Sequence, residues 1–498
     1  MKLSYDKYLD KVKACYIGKN IGGTLGGPYE WTHDMLDVKG YITPPGQPLP
    51  NDDLDLQLAW LHALEQVGPY AIDASMLGEF WLNFIHPCWA EYGIGKANMQ
   101  RGIAPPASGD LDNDWKHSNG AWIRTEIWAC TAPATPETAV TLAMEDAKVD
   151  HGAGEGTIAA AFVAALQSCA FALTSLSECI DLALSAIPEN SRTAMSVRLV
   201  LDSYKAGKTW QETREIVRLS NADIGTGWFE APSNVAYAVI GMVYGKGDFK
   251  KSMLTAINCG DDTDCTAAMV GATMGILHGT SVIPADWAEY IGDEIVTICI
   301  ANGDVGKSFP KTCTEMASRI AEVMPFVMRL HNAHIYYRDG DAVSTTFGEE
   351  NIADAYEQLK NRIADVVLPM TQNLVPFTFS KTDGPFNLKL SLSELGISPA
   401  KQVTADLTVQ SRVNFENMQY PIAIRFLAPD GFCVEGPKNG LIKRHEDYKL
   451  GIHGSGQAKF SYTITAPEVL ARENRMVVEV TCPGRHTAVY LPFLLLAE

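Results

Sequence analysis

Apolar residues follow helical spacing along most of the chain up to about residue 368. One predicted helix follows Thr135-Pro136-Glu137, in which threonine is the expected N-cap and proline and glutamate suit the first turn. Its apolar residues recur at intervals of three and four, at Val140, Ala143, Met144 and Ala147. Strand-like alternation is scarce in this part, so the pattern predicts an all-α domain over residues 1–368.

The longest stretch without a charged residue runs from Gly156 to Ser177. It is rich in alanine, but it also contains polar side chains such as Gln167 and Ser168. A membrane-spanning helix needs about 20 predominantly apolar residues, so these polar side chains favour a buried core helix instead. The N-terminal residues lack the apolar segment of a signal peptide, and we expect neither a secretory leader nor a membrane partner.

The period of the pattern changes between Val366 and Ser380, a segment that contains Pro369 and Pro376. Beyond it, apolar and polar residues alternate as in strands with one buried face. The alternating apolar positions are Leu388, Leu390, Leu392, Val403, Ala405, Leu407, Val409, Phe460, Tyr462 and Ile464. Roughly 120 residues of short alternating strands are typical of a β-sandwich. We therefore predict a multidomain α + β protein whose second domain is a β-sandwich over residues 369–498.

The charge balance narrows the classes of partner. The chain has 498 residues, with 40 basic and 59 acidic side chains and a formal net charge of −19. Nucleic-acid surfaces cluster Lys and Arg, so we expect no nucleic-acid partner. A small phosphorylated substrate stays open, because a local site can oppose the global sign. The eleven cysteines contain no C-x-x-C pair, which favours a reduced, cytoplasmic protein with most thiols in the core.

Acidic residues crowd the starts of two predicted helices. The first cluster is Asn51-Asp52-Asp53, and the second is the segment from Asn258 to Cys265, which contains Asp262 and Asp264. Capping a helix needs only one oxygen, and it leaves the density of mutually repelling carboxylates unexplained. Hard oxygen ligands suit Mg²⁺, Mn²⁺ or Ca²⁺. If the two helix starts converge, these aspartates predict a site for one or two divalent ions.

A third feature is the glycine-rich run from Gly18 to Glu30. It lacks the Gly-Lys-Ser/Thr end of a phosphate-binding loop and follows no predicted strand, so neither a Walker A loop nor a dinucleotide fold is indicated. Small residues for close helix packing, followed by a loop with Glu30 at its tip, are the simpler interpretation. The helix after the second acidic cluster has a similar stripe of small residues, which lets another backbone approach closely: Ala267, Gly271 and Gly275.

Two weaker patterns leave alternatives open. The acidic loop from Asp110 to Trp115 is either a sugar-stacking surface or solvated charge. His331 and His334 have i, i+3 spacing that could hold a metal. Because the sequence places no acidic or thiol partner close to this histidine pair, we expect no metal site there.

Five segments, in order along residues 14 to about 280, resemble the motifs of the ADP-ribosylglycohydrolase family. Each motif alone is moderately specific, and their common order makes the resemblance strong. The matching segments are Gly18–Glu30 for the opening motif, Asn51–Asp53 for T-D-D, Asn119–Arg124 for N-G-A-x-M-R, Asp150–Gly152 for T-H-G and Asn258–Cys265 for N-x-G-G-D-T-D-T. The β-rich part lies outside the resemblance.

The resemblance implies an all-α core whose cleft holds two Mg²⁺ or Mn²⁺ ions. It places Glu30 near the substrate ribose, and we expect Glu30 to transfer the proton, with Asp53 as the alternative. The implied metal ligands are Asn51, Asp52, Asp53, Asp262, Asp264 and Cys265. The implied substrate-binding residues are Asn119, Gly120, Arg124 and His151. For Asn119 and Arg124, packing is an alternative to substrate contact with equal support. For His151, the alternative is a structural hydrogen bond.

Departures from the family motifs bear on the chemistry. Asn51 replaces threonine but keeps an oxygen that can bind a hard cation. Cys265 replaces threonine or serine, and because sulfur is a poor Mg²⁺ ligand, the number of bound ions stays open. Gly23 stands where the family has aspartate. The segment Arg101–Pro106 stands in place of a D-x-G-x-T-T stretch, which counts against ADP-ribose itself as the substrate.

The first hypothesis for function is a metal-dependent glycoside hydrolase that cleaves an N- or O-glycosidic bond at ADP-ribose or a related furanoside. Its partner is then a small-molecule glycoside or an ADP-ribosylated substrate. The alternative is a non-catalytic member of the same family that binds a metal or a sugar. The number of carboxylates counts against the alternative, because a scaffold has no need of them.

Overall fold

The computed structural model describes residues 2–300, 309–331, 342–344, 352–374, 377–411, 420–442 and 456–498. Pro376 and His334 lie outside these residues, so the structure does not address the predicted proline boundary at Pro376 or the His331–His334 pair. All eleven cysteines are described and free, and all except Cys88 and Cys433 are buried, which confirms that most of them are small core residues.

Among the described residues from 5 to 372 the regular elements are helices, apart from one short strand at Ala342–Ser344, in agreement with the helical spacing of this part. A π-helical turn, Ile363–Val367, lies between the last two helices. The helices are α1 (Tyr5–Gly26), α2 (Asp52–Val67), α3 (Ala74–Phe84), α4 (Ala90–Gln100), α5 (Ala107–Asp110), α6 (Glu126–Thr131), α7 (Pro136–Ala147), α8 (Glu155–Ala170), α9 (Leu176–Ser185), α10 (Arg192–Lys205), α11 (Trp210–Ser220), α12 (Ala231–Gly245), α13 (Phe249–Ile257), α14 (Thr263–His278), α15 (Ala285–Ile291), α16 (Cys313–Met328), α17 (Ile352–Arg362) and α18 (Leu368–Gln372).

Helix α8 is a core helix, as its uncharged sequence predicts. Every residue from Gly156 to Ala170 is buried. No helix in the described ranges has both the length and the apolar character that crossing a bilayer requires. Thr135 precedes α7 as predicted, but its hydroxyl donates to the Pro133 carbonyl at 3.1 Å instead of capping the helix.

Helices α1 and α14 pack backbone against backbone through their small residues. A Cβ atom on Gly18 would lie 2.3 Å from the Gly271 carbonyl oxygen, and one on Gly22 would lie 2.4 Å from the carbonyl carbon of Ala267. A Cβ on Gly26 would lie 2.3 Å from the Thr263 oxygen. The small residues of α14 therefore allow the α1 backbone to pack directly against it. This contact places the C-terminal end of α1 beside the N-terminal start of α14.

The strands lie mainly after residue 377 and form two five-stranded sheets. One sheet has the order β3-β4-β6-β10-β8, and the other has the order β5-β12-β11-β7-β9, in which only the β5–β12 pair is parallel. Near the N-terminus β1 (Lys2–Ser4) pairs with β2 (Ala342–Ser344). The other strands are β3 (Thr378–Asp383), β4 (Phe386–Leu392), β5 (Gly396–Ile397), β6 (Gln402–Ser411), β7 (Tyr420–Leu427), β8 (Cys433–Glu435), β9 (Asn439–Ile442), β10 (Gln457–Thr465), β11 (Glu473–Thr481) and β12 (Ala488–Ala497).

Both large sheets contribute to one buried apolar cluster. The alternating residues of β6, such as Leu407 and Val409, belong to it together with Val478 of β11 and Leu491 of β12. The period-two pattern thus identifies the buried face of each strand. The opposite face of β6 is more exposed, and Thr404 and Asp406 lie on it.

The segment that follows α4 anchors the helical part to the β-rich part. Ile103 and Ala107 are fully buried within the apolar cluster of the sheets. Arg101 forms an ion pair with Glu473, and the Arg475 guanidinium donates to the Arg101 carbonyl. The segment that replaces the family's D-x-G-x-T-T stretch therefore contacts the C-terminal region.

We expect a chain truncated after residue 374 to keep its affinity for Mn²⁺ but to aggregate. The candidate ligands all belong to the helical part, whereas truncation exposes the buried side chain of Ile103 to water. Ile103→Ser in the truncated chain is the matched control and should restore solubility. Calorimetric titration with Mn²⁺ checks affinity; a soluble truncated protein that no longer binds Mn²⁺ would show that the β-rich region supplies ligands.

Candidate metal-binding and active site

The two acidic helix starts converge at one end of the α1–α14 pair. Helix α2 begins at Asp52, directly after Asn51, and α14 begins directly after Asp262. Ligand atoms of Asp53, Asp264 and Cys265 lie within 4.8 Å of one another. The structure therefore brings together residues from clusters that are about 200 positions apart in the sequence.

A second group of possible ligands shares one residue with the first. Single oxygen atoms of Glu30, Asp262 and Asp264 also lie within 4.8 Å of one another. Glu30 follows a short 3-10 helix, Gly27–Tyr29, that extends α1 to the edge of the cleft. Asp264 belongs to both groups, so the two sets of residues that could hold a metal ion share this carboxylate.

Several polar atoms of these residues are buried without a hydrogen-bond partner in the described part of the chain. They are Asn51 Oδ1 and Nδ2, Asp53 Oδ2, Asp262 Oδ1 and Asp264 Oδ1. A buried polar atom without a partner is costly, and the oxygens among these atoms are groups that a divalent cation could bind. Because carboxylate and amide oxygens are the donors that hard divalent cations prefer, the residues fit the ions that the motifs imply.

Crowding raises the pKa values of the carboxyl groups in the cleft. Burial, followed by the charges of Asp264 and Asp52, raises the pKa of Glu30 to about 8. Burial and the charge of Asp264 raise the pKa of Asp52 to about 6. The pKa values of Asp53 and Asp262 are raised well above the usual range, mainly by burial. A bound divalent cation would offset this repulsion.

Asn51 and Gly23 are two departures from the family motifs that fit each other. A Cβ atom on Gly23 would lie 1.6 Å from Asn51 Nδ2. An aspartate at position 23 therefore has no room beside Asn51 in its present place. The glycine makes space for the amide, which lies buried at the start of α2.

A buried lysine, Lys19, contacts Asp53 inside the helical core. Lys19 Nζ lies 3.5 Å from Asp53 Oδ1 and 3.1 Å from Glu126 Oε2, and it donates to the Ile123 carbonyl at 2.7 Å. Burial lowers the lysine pKa, but Glu126 and Asp53 outweigh that effect and raise it, so Lys19 stays charged. Asp53 Oδ1 therefore faces the Lys19 ammonium. Asp53 Oδ2 has no hydrogen-bond partner among the described residues and could bind a cation.

Arg124 and His151 lie behind the cleft and do not line it. The fully buried Arg124 guanidinium donates to Asp146 Oδ1 at 2.9 Å, to Asp150 Oδ1 at 2.8 Å and to the Gly120 carbonyl. His151 Nδ1 lies 2.8 Å from Asp150 Oδ1, and the imidazole is also fully buried. For both residues the geometry favours the structural alternative over direct contact with a substrate. Arg124 holds the Gly120 carbonyl in place, and His151 Nε2 lies 3.3 Å from Ser118 Oγ.

Asn119 and Gly120 do reach the cleft. Asn119 Nδ2 donates to Asp262 Oδ2 at 2.7 Å, and Asn119 Oδ1 accepts from Trp122 Nε1 at 2.8 Å. Both polar atoms of the amide are therefore engaged, one on a candidate metal ligand. A cavity of about 450 Å³ lies above the acidic groups, lined by Glu30, Trp31, Pro50, Asp52, Trp89, Ala90, Glu91, Tyr92, Trp115, Ser118, Asn119, Gly120, Ile123, Phe229, Asp262, Asp264, Cys265 and Ile298.

Sequence reasoning missed several of these lining residues. Glu91 and Tyr92 belong to α4, and the Tyr92 hydroxyl donates to Asp52 Oδ2 at 3.0 Å. Trp31 packs edge-on against Phe229, with ring centroids 4.3 Å apart. The one available signal was the tryptophan directly after Glu30, because an aromatic residue in a polar loop indicates recognition. Trp115, for which a sugar-stacking role was one alternative, does line the cavity.

A family model identifies the family that the motifs resemble. The family model described as ADP-ribosylglycohydrolase matches residues 4–324. The chain is similar to the ADP-ribosylarginine hydrolase Tri1 of Pseudomonas putida (strain GB-1), with 22% identity over 304 residues that cover 58% of this chain and 76% of the relative. A solved structure titled ADP-ribosylglycohydrolase-related protein complex has 19% identity and a TM-score of 0.41, and the match covers 65% of this chain and 99% of that one.

Proposed function

Because the chain belongs to the ADP-ribosylglycohydrolase family, we propose that it is a metal-dependent hydrolase that cleaves an N- or O-glycosidic bond at ADP-ribose or a related furanoside. The observation that carries this proposal is the set of buried, unpartnered ligand atoms of Asn51, Asp53, Asp262 and Asp264 at the base of a cleft. Buried carboxylates without a partner cost stability, which supports a bound cation, and the similarity to an ADP-ribosylarginine hydrolase supports catalysis.

The proposed ligands of Mg²⁺ or Mn²⁺ are Asn51, Asp52, Asp53, Asp262, Asp264 and Cys265. The possible acidic clusters of the structure and the general dependence of the family on divalent metals support this assignment. When bound, such an ion supplies Lewis-acid chemistry and a template for vicinal sugar hydroxyls. Lys19 restrains Asp53, and Tyr92 restrains Asp52, so that both carboxylates keep their orientation.

Glu30 is the proposed proton-transfer group. Burial and the neighbouring carboxylates of Asp264 and Asp52 raise its pKa to about 8, and its side chain lies partly exposed on the cleft wall. Such a group can donate a proton to the leaving atom of a glycoside. Asp53, the alternative, is fully buried beside Lys19, which disfavours proton exchange with a substrate. Neighbouring carboxylates stabilise the oxocarbenium-like charge at the anomeric carbon.

The proposal is tested by Mn²⁺ calorimetry followed by a turnover screen of ribofuranosides and other furanosides with different leaving groups. We expect saturable Mn²⁺ binding and turnover of at least one furanoside that Glu30→Gln reduces on the order of a hundredfold or more. Mn²⁺ binding without turnover of any furanoside would favour the alternative, a metal or sugar binder. Absence of Mn²⁺ binding would reject the proposed metal-dependent hydrolase and leave only a sugar binder.

Cys265→Thr is expected to tighten the binding of Mg²⁺. The substitution places a hard oxygen in the group formed with Asp53 and Asp264, where the parent has a sulfur. Titration of both proteins with Mg²⁺ and with Cd²⁺ checks the effect, and the parent should show the higher relative affinity for Cd²⁺. If Mg²⁺ affinity does not change, Cys265 contributes to packing and is not a ligand position.

For the architecture we propose a catalytic domain over residues 1–368 and an accessory domain over residues 369–498. The two five-stranded sheets share one apolar cluster, which supports a β-sandwich for the second domain. We propose that the second domain acts as a support, a dimerisation surface or a carbohydrate-recognition module. The free state of all cysteines supports the reduced, cytoplasmic setting that the sequence predicts.

A further inference from the structure

Three non-glycine residues with a left-handed backbone meet at one wall of the cleft. Trp31, Phe229 and Asp261 have φ angles of 68°, 56° and 68°. Such angles are uncommon outside glycine, and for a bulky aromatic residue they are outliers. Trp31 and Phe229 both line the cavity. Because strained residues persist only where neighbouring groups hold them, and because they cluster at functional sites, we asked which contacts hold this wall.

The backbone of Asp261 is paired with the segment that carries Trp31. The Trp31 N–H donates to the Asp261 carbonyl at 3.2 Å, and the Asp261 N–H donates to the Thr32 carbonyl at 2.6 Å. These bonds belong to the main chain and need no particular side chain at position 261. The family motif N-x-G-G-D-T-D-T has glycine at this position. Glycine would make the same bridge with less strain, so the advantage of an aspartate here lies in its carboxylate.

The carboxylate of Asp261 holds the segment that carries Phe229. Asp261 Oδ1 accepts a hydrogen bond from the Phe229 N–H at 3.3 Å, and Asp261 Oδ2 accepts one from Asn234 Nδ2 at 3.0 Å. Asn234 Oδ1 in turn accepts from the Asp262 N–H at 3.3 Å. The side chain of Asp261 is buried, so water competes little for these bonds. It therefore links the Phe229 segment to the start of α14.

Two more rings complete the contact between the two segments. The imidazole of His33 lies over the indole of Trp228, with ring centroids 3.4 Å apart, and Trp31 lies 5.5 Å from Trp228. His33 Nδ1 also lies 3.9 Å from Asp261 Oδ1. The residues 31–33 and 228–229 are about 200 positions apart in the sequence. Asp261 contacts both segments, the first mainly through its backbone and the second through its carboxylate.

We propose that Asp261 is a positioning residue whose carboxylate fixes Phe229 against Trp31, and that the aromatic wall so formed sets the affinity of the cleft for its substrate. This inference rests on the proposed function and adds a specificity element that lies outside the metal ligands. Aromatic faces bind ring-shaped groups through the apolar area that they bury. Asp261 thus acts on KM through Phe229, whereas Glu30 and the metal ligands determine kcat.

The first test removes the carboxylate and measures whether the Phe229 segment opens. In the Mn²⁺-loaded full chain, Asp261→Gly keeps the backbone bridge and fits the φ angle of 68°. The amides of Thr226 and Gly227 donate to Glu230 Oε1 and not to Asp261. We expect both to exchange with deuterium roughly tenfold faster or more, because the whole segment loosens. Mass spectrometry of peptic fragments measures this exchange, and the affinity for Mn²⁺ should stay within error of the parent.

The second test measures steady-state kinetics with the furanoside that the turnover screen identifies. Asp261→Gly should raise KM about fivefold or more and leave kcat unchanged, because Glu30 keeps its place. Asp261→Asn keeps an oxygen acceptor for the Phe229 N–H and tolerates the left-handed backbone, so it should restore the parent KM. The matched control is Asp112→Gly, at an aspartate that also has a positive φ angle, 51°, and a side chain that is 65% exposed. It should change neither KM nor the amide exchange.

A double-mutant cycle tests whether Asp261 acts through Phe229. Phe229→Ala alone should raise KM, and Asp261→Gly should add nothing in a chain that already carries it. Additive effects would overturn the proposal, as would unchanged exchange at Thr226 and Gly227 in Asp261→Gly. A loss of kcat or of Mn²⁺ affinity with an unchanged KM would assign Asp261 to the metal site and would also overturn it. If the parent hydrolyses no furanoside, the proposed function fails, and the amide exchange still decides whether Asp261 holds the wall.

Discussion

The double substitution Asp262→Asn and Asp264→Asn should abolish divalent-cation binding in the cleft. Asp264 belongs to both groups of candidate ligands, and Asp262 completes the group that contains Glu30. Two amides in place of two carboxylates remove most of the attraction for a hard cation. We expect the affinity for Mn²⁺ to fall roughly a thousandfold or more, which corresponds to about 4 kcal/mol. Calorimetric titration measures this directly.

The same double variant should be more stable than the parent when no metal is present. The carboxyl pKa values of Glu30 and Asp52 are raised by burial and by neighbouring carboxylates. Groups with raised pKa values contribute stability that is complete below their unfolded values near 4. This contribution is lost as the pH rises through about 6 for Asp52 and about 8 for Glu30. The metal-free parent should therefore lose stability between about pH 4 and pH 8.

In the double variant this loss should be smaller, because the charge of Asp264, which raises the pKa of both Glu30 and Asp52, is gone. We expect a gain of about 1–2 kcal/mol in the free energy of unfolding at pH 8, measured in urea with a chelator present. Asp37→Asn with Asp112→Asn makes the same change in net charge at exposed positions and is the control. Unchanged Mn²⁺ affinity in Asp262→Asn, Asp264→Asn would reject the proposed metal site.

Gly271→Ala should destabilise the helical part strongly, although it adds only one methyl group. Its Cβ would lie 2.1 Å from the Gly18 carbonyl oxygen, and helix backbone cannot move aside as a side chain can. Insertion of a methyl group into a packed core costs about 1–3 kcal/mol. Because two whole helices must separate at this contact, we expect a loss at the upper end of that range or beyond it. Urea unfolding measures the loss, and Mn²⁺ affinity should fall with it, since α14 carries Asp264 and Cys265 at its start.

Gly40→Ala is the matched control for this substitution. A Cβ on Gly40 meets no described atom within 4 Å, and the backbone there does not have a positive φ angle. It should leave both the unfolding free energy and the Mn²⁺ affinity within error of the parent. If Gly271→Ala were tolerated as well as Gly40→Ala, the α1–α14 contact would not be what positions the candidate ligands.

Local patterns were sufficient for the elements and for part of the site. Period-two alternation identified Leu407 and Val409 as buried strand residues, and the small-residue stripe at Gly271 and Gly275 indicated a close helix contact. These features depend on neighbours in sequence, so a single chain reveals them. The density of aspartates at two helix starts likewise indicated a cation site, because electrostatic repulsion is a property of the residues themselves.

Contacts between distant segments were not predictable in the same way. Tyr92 meets Asp52 across 40 residues, and Lys19 meets Glu126 across more than 100 residues, and no local pattern marks either pair. In the sequence Lys19 cannot be distinguished from a surface lysine. Only the three-dimensional positions of Asp53 and Glu126 show that it is buried between two carboxylates. The same holds for Arg124, whose sequence motif fits a substrate contact as well as it fits the buried ion pairs that it makes.

The contact between residues 101–107 and the β-rich region limits how this chain can exchange parts during evolution. Ile103 is buried among side chains of the sheets, and Arg101 and Glu473 form an ion pair across the boundary. A recombination event that joined the helical part to a different C-terminal region would leave an apolar side chain in water and a charge without its partner. The C-terminal region and the 101–107 segment should therefore be inherited together, and relatives without the one should differ in the other.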